Sequence, residues 1–403
     1  ATFDPDIVKR FGEIASKEYR ALGIATALSP QIDMATDPRW GRFNGTFGED
    51  PKLATDMARA YCDGFQTTRN GLDGTAGWGT DSVNAMVKHW PGGGSGEGGR
   101  DAHFNFGKYA VYPGGNFEEH MKPFTEGAFK LEGGTGRASA VMPYYTISAG
   151  QDPVDHDEVG NSYNRHIIGD RLRGEQGYDG VVCTDWGITG DEGPNVETFS
   201  GKCWGVETLT VAQRHYRILM AGVDQFGGNN DMGPVLEAYR MGAAAHGEAW
   251  MRARFEQSAV RLLMNIFRVG LFENPYLEIA KTVETVGNAA FMKEGYEAQR
   301  KSVVLVKNRN KTLPLRKGTK VYIPERFTPE LRGWFGMVIP ARTECPLHLE
   351  VAGQFLEVVK TPEEAECALV LARGPMNVMS QGGYDARDAA AGGNGYEIGR
   401  AHV

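Results

Sequence analysis

The 403-residue sequence predicts an α/β chain: a (β/α)8 TIM-type barrel lacking its N-terminal strands over 1–272, a linker and helix over 273–300, and the start of a second α/β domain over 301–403. Three observations predict it. Short apolar runs alternate with helix-period segments up to about residue 270, several successive runs end in polar side chains, and the texture changes after Leu271.

The apolar runs are "GIATALSPQID", "VNAMVKHW", "ASAVMPYY", "GVVCTDWG" and "GVDQFG", with helical patterns clearest at 4–22, 165–175, 207–221 and 248–268. Strand followed by helix, repeated, argues for parallel βαβ units whose strands are buried on both faces. Asp33, Lys88-His89, Tyr145, Asp185 and Asp224 stand at the C-terminal ends of these runs. A site assembled from so many strand ends is the habit of a barrel, whose βα loops build one face. The first unit opens with the amphipathic segment "ATFDPDIVKRFGEIASKEYRALG", so up to three strands are expected upstream of residue 1. A second chain or a homo-oligomer could then complete the wall.

Beyond Leu271 a Pro turn and a helix lead into "VVLV" and a Lys/Asn/Pro-rich turn. "TKVYIP", a helix over 328–333 and "CALVLARG" then suggest a second α/β domain starting near residue 300.

A hydrophobic share of 41% allows an extensive core, while a net charge of -8 without a Lys/Arg block offers no field for nucleic acid. No run of about 18 apolar residues crosses a membrane, and the N-terminus reads as a helix, not a signal peptide. Five cysteines without CxxC spacing and nine histidines without HxH or HExxH spacing predict neither a disulfide framework nor a catalytic metal. No cofactor is expected. "GGGSGEGG" matches no nucleotide-loop pattern.

"VVCTDWGIT" carries the chemistry. A carboxylate at a strand's C-terminal end faces the loop cleft, and the aromatic after it offers a flat apolar wall. Such a pair suits a sugar: the ring stacks on its C–H face and the carboxylate meets an oxocarbenium-like centre. Asp185 could equally be an N-cap before a helix. Lys88 and His89 end a strand before a glycine loop, as ligands for one substrate or as a surface pair. Arg42, in "DPRWGRFNGTFGEDP", could grip vicinal hydroxyls bidentately or pair with Glu49 or Asp50.

Four motifs, "DPRWGRFNGTFGEDP", "VKHWPGGG…GGRDAHF", "SAVMPYY" and "GVVCTDWG", in this order and spacing, resemble glycoside hydrolase family 3, the retaining exo-β-glucosidases and β-glucan glucohydrolases. "RKSVVLVKNRNKTLPL" is similar to that family's passage into its second, α/β-sandwich domain, and "GGYD…D…GGNGY" to a segment of some bacterial members. The resemblance implies a retaining β-glycosidase acting on a β-linked glucoside or oligosaccharide, with Asp185 as nucleophile and Trp186 bordering the sugar site. It implies that Lys88 and His89 hold ring hydroxyls, that Arg42 and Arg100 grip the sugar, and that Tyr145 approaches the nucleophile and ring oxygen. It also implies a whole protein that is periplasmic or secreted.

The chain departs from the family's pattern in three places. The early aspartate that binds the distal hydroxyls is missing. The acid/base, a glutamate of the second domain, is identified with neither Glu366 nor Glu397. The tail "EIGRAHV" leaves the pattern, so the chain is expected to be truncated at both ends. Two alternatives stay open. One is a β-N-acetylhexosaminidase, whose branch carries an Asp-x-His acid/base pair after Lys-His; Asp101-Ala102-His103 resembles it but falls further along an expanded glycine loop. The other is an inactive fragment that only binds carbohydrate.

Overall fold

Asp4 begins the first helix, α1 (Pro5–Ala21), by accepting the backbone N–H groups of Asp6 and Ile7 ahead of a proline at the first turn. Asp50 does the same for α2 (Pro51–Gln66), taking Leu53 N–H at 2.7 Å. The two helices pack closely because glycines meet: a Cβ on Gly64 would stand 2.2 Å from Lys9 O and 2.9 Å from Gly12 Cα. The computed structural model describes residues 2–372 except 39, 194–199, 329 and 333–337.

The first compact unit runs to Ser302. Its strands are β1 (Thr26–Ala27), β2 (Asn84–Trp90), β3 (Tyr109–Ala110), β4 (Ala140–Pro143), β5 (Ile147–Ser148) and β6 (Val181–Val182). A parallel sheet has the order β1-β2-β4-β6, and a parallel bridge from Cys183 to Gln225 extends it by one position. Each of these strands pairs with the next of the series along the chain, which is the order of a barrel wall. Helices fill the crossovers: α2, then α3 (Phe117–Lys122), a helical segment His166–Glu175, and α4 (Val211–Ala221). β4 is buried throughout and β2 nearly so, as strands covered on both faces must be. Val87, Val141 and Val182 join Trp90, Phe124 and Ile167 in the main core. Because the strands run parallel, all their C-terminal ends open at one end of the sheet.

Thr210 and Gln213 form a reciprocal capping box at the start of α4, and Gly222, at φ +113°, ends it. α5 (Gly233–His246) and α6 (Glu248–Phe267) follow. The stretch 273–300 carries α7 (Ile279–Thr285) and α8 (Ala289–Lys301). Both dock on α1: the Thr282 hydroxyl donates to Ala21 O at 2.6 Å, and Arg10 pairs with Glu294 at 2.6 Å.

The second unit starts at Val303. The apolar run Val303–Val306 is exposed. Three parallel strands follow, with Lys320–Tyr322 in the centre and Glu357–Val359 and Cys367–Ala368 on either side. The helix expected over 328–333 is not formed: Arg326–Thr328 and Leu331–Arg332 are strands, paired antiparallel with Arg342–Glu344 and Val338–Ile339. Their antiparallel partners account for the difference, since cross-strand pairing overrides a local helical pattern. No helix among the described residues is long and apolar enough to cross a membrane.

Candidate active site

The C-terminal ends of β1, β2, β4 and β6 bring five of the expected residues together: Asp33, Lys88, His89, Tyr145 and Asp185. Asp33, two residues beyond the β1 bridge at Gln31, is fully buried and accepts the backbone N–H groups of His89 (2.9 Å) and Gly93 (2.6 Å). Its other oxygen lies 2.7 Å from His89 Nδ1. Burial pushes the Asp33 pKa up, but His89 and these donors outweigh it and hold the carboxyl below its ordinary value. Burial drives His89 down to about 4, so the imidazole is neutral at neutral pH. A neutral ring beside a carboxylate carries its proton on Nδ1, which leaves Nε2 to accept from Arg42 Nη1 at 2.9 Å.

Lys88 precedes His89 where the ladder to β4 slips register between Lys88 and Trp90, breaking the alternation that would send neighbours to opposite faces. Burial and the Arg42 charge lower the Lys88 pKa, while Asp185 and Asp33 pull it back up. Arg42 sits on the loop between β1 and α2. Its guanidinium binds His89, and Asp50 is occupied as the α2 cap.

Asp185, two residues past the Cys183 bridge, is 6% exposed. Its Oδ1 accepts Trp186 N–H at 2.7 Å, and the Tyr145 hydroxyl hydrogen-bonds the carboxylate. Burial, then the Asp185 charge, pushes the Tyr145 phenol far above its ordinary value, so it remains a donor. Asp185 Oδ2 is buried and accepts no hydrogen bond from any described residue. His89 Nε2 is 3.7 Å away, but it already serves as acceptor to Arg42. No helix starts at Asp185, so the N-cap alternative lapses.

Trp186 is 37% exposed and its ring lies on a Gly-Gly backbone. A Cβ on Gly228, at φ +65°, would stand 2.2 Å from Trp186 Cδ1, and one on Gly227 2.8 Å from Cε3. Arg100 lies on the loop after β2, where it pairs with Glu97 at 3.7 Å. Asp224 departs from expectation: its carboxylate binds Arg173 (2.5 Å) and Arg261 (2.9 Å), and it accepts the Ser258 hydroxyl (2.7 Å) and Val182 N–H (3.0 Å).

A third carboxylate joins the site from the glycine loop. Asp101 accepts Trp40 Nε1–H at 2.9 Å and lies 2.7 Å from His103 Nδ1. Burial raises Asp101, but His103 and Arg42 overcome it and hold it at about 2. The loop folds back so that the His103 ring is 5.2 Å from that of Tyr145, edge to face. Lys202, fully buried, holds its ammonium 5.8 Å from the Tyr145 ring, and burial lowers it to about 8.

One group of carboxylates among the described residues has metal-ligand spacing: Asp152, Asp155 and Asp157. Asp152 accepts the N–H groups of Val154, Asp155 and Asp157, and Arg165 and Arg217 take the other two.

Residues 1–263 match the glycosyl hydrolase family 3 N-terminal domain. The chain belongs to this family. A family 3 relative from Emericella nidulans, named β-glucosidase C, is 38% identical over 92% of this chain and 54% of its own length. A Dickeya chrysanthemi protein named periplasmic β-glucosidase/β-xylosidase is also 38% identical, over 92% of this chain and 53% of its own. The chain thus spans about half the length of these relatives. The structure of a Listeria innocua β-glucosidase in complex with gluconolactone superposes with a TM-score of 0.66 at 23% identity, covering 89% of this chain and 45% of that one. That likeness establishes the shared family 3 fold, a TIM-type barrel.

Proposed function

We propose that this chain carries the catalytic barrel of a retaining, exo-acting β-glycoside hydrolase that releases terminal glucose from β-glucosides or oligosaccharides. The observation that carries the proposal is the buried Asp185 Oδ2, which no described residue supplies with a donor, while Trp186 N–H fixes Oδ1. A carboxylate oxygen fixed but unsatisfied is one available to form a bond.

Asp185 Oδ2 attacks the anomeric carbon as the bond to the leaving oxygen breaks, giving a glycosyl ester that water then hydrolyses. Lys88, the Arg42–His89 pair and Arg100 hold ring hydroxyls, and Trp186 walls the sugar. The leaving oxygen takes its proton from a separate acid. Glu366 belongs to the second unit, where Oε1 accepts Lys320 N–H at 3.1 Å, and Glu397 lies outside the described residues, as does the "GGYD…GGNGY" segment. The names of the relatives, β-glucosidase and β-xylosidase, support the substrate class.

A second reading has one observation in its favour. The Asp101–His103 pair, set far along its loop in sequence, packs against Tyr145 in space, as an acid/base of the β-N-acetylhexosaminidase branch would. Parallel assays on aryl β-glucoside and aryl β-N-acetylglucosaminide separate the two.

The test is intact mass after incubation with a 2-deoxy-2-fluoro-β-glucoside bearing a good leaving group, which departs without an acid. The chain is expected to gain a single sugar and Asp185→Asn none. A folded chain that gains nothing would reduce the proposal to a carbohydrate-binding fragment.

A further inference from the structure

The charged groups that surround Asp185 are paired with one another, while Asp185 Oδ2 itself is not. Asp33 takes His89 and Gly93, Asp101 takes Trp40 and His103, and His89 takes Arg42. Tyr144 stands among them and is not. It is 1% exposed, and its hydroxyl has no hydrogen-bond partner among the described residues. The backbone fixes it: Tyr144 N–H donates to Trp90 O at 2.9 Å, tying the residue to the end of β2. Its ring lies 4.4 Å from that of His89 and packs with Ala102, Ile147 and Trp204. Gly93 is confined by it, since a Cβ there would meet Tyr144 Cδ1 at 2.9 Å and Asp33 Oδ1 at 3.0 Å.

The hydroxyl therefore lies inside the charge network without belonging to it. Asp101, Arg42, Asp33 and Asp185 all act on it, and burial with Asp101 foremost raises the phenol well above its ordinary value, so the group stays protonated. Leaving a buried hydroxyl unpaired costs about 1–3 kcal/mol, and such groups in native structures mark a ligand, a water or a catalytic role. The ring alone would fill this space as phenylalanine does.

We propose that the Tyr144 hydroxyl is a sugar-binding group of the subsite served by Asp185, donating to one hydroxyl of the bound glycone. The inference rests on the hydrolase reading and adds a residue that sequence analysis assigned no role. Its two neighbours divide the work: Tyr145 holds the nucleophile, and Tyr144 holds the substrate.

The experiment compares the chain with Tyr144→Phe on 2,4-dinitrophenyl β-glucoside, reading dinitrophenolate release and thermal midpoint together. The variant is expected to lose about 10-fold in kcat/KM, since one hydrogen bond is worth about 1.4 kcal/mol at this factor. Its midpoint should hold or rise, because no paired hydrogen bond is removed. A series of monodeoxy glucosides then locates the partner: for one of them, the chain and the variant should react equally. Equal kcat/KM on the parent glucoside, or a lower midpoint with unchanged kcat/KM, overturns the proposal and makes the hydroxyl structural. Release by neither protein, with no fluoro-sugar adduct on the chain, sinks the hydrolase reading and this inference with it.

Discussion

Asp185 lies two residues past, and Asp224 one residue before, the parallel Cys183–Gln225 bridge that joins neighbouring positions of one sheet, and both are buried. Their surroundings differ completely. Asp224 is saturated: two arginines, a serine hydroxyl and a backbone N–H occupy both oxygens, and a third arginine, Arg254, stands 3.8 Å away. Burial pushes its pKa up, yet Arg173 and Arg261 hold it below the ordinary value. Asp185 keeps one oxygen that no described residue satisfies. The same side chain on neighbouring positions of one sheet is thus a rivet where it registers with Val182 and a reagent past the strand end, and the count of donors separates the two.

Substitution can break the comparison. Asp185→Asn should abolish covalent labelling, a loss on the order of 10⁴-fold or more, while the thermal midpoint stays close to that of the unaltered chain. Asp224→Ala should do the reverse. It leaves Arg173, Arg254 and Arg261 without their shared anion, a loss of about 3–5 kcal/mol readable by denaturant unfolding. A labelling defect in Asp224→Ala without lost stability would place that carboxylate in the site.

Acid titration sharpens the contrast further. His89 and His120 are both driven by burial to about 4 from an ordinary 6.5. The unfolded chain therefore binds more protons between those values, so stability is full above about 6.5 and falls as the pH drops towards about 4. Each histidine contributes up to about 1.4 kcal/mol per pH unit in that window. His120→Gln should make the slope shallower by that amount; an unchanged slope would mean that His120 is not buried neutral.

The smallest effect concerns the aromatic wall. Gly228→Ala should raise KM for the dinitrophenyl glucoside about 10-fold and lower stability by about 1–3 kcal/mol, because a left-handed backbone and the Trp186 ring both reject a Cβ. Unaltered KM would show that Trp186 does not touch the sugar.

Much of this was legible in sequence. Alternating apolar runs gave the parallel strands, and the polar residues closing them gave Lys88, His89, Tyr145 and Asp185, because strand ends are local. Asp224 closes a run in the same way, yet arginines from a crossover helix and from α6, 37 residues on for Arg261, claim it. No local pattern announces that. Asp101 and His103 stood out only as a resembling pair, and their place beside Tyr145 was not legible because glycine-rich backbone has no periodicity from which the loop's return could be read. Tyr144 was overshadowed by its neighbour, since adjacent tyrosines are told apart only by where each hydroxyl ends. Where a helix over 328–333 was expected, Thr328 and Leu331–Arg332 are strand because they pair with Arg342 and with Val338–Ile339, which a local reading does not contain.

The most direct measurement is proteolysis of the fluoro-sugar-labelled chain and mass mapping of the modified peptide. The account predicts a single modified peptide, with the sugar esterified to Asp185. An adduct on Asp33, Asp101 or any other carboxylate, with Asp185 unmodified, would contradict it.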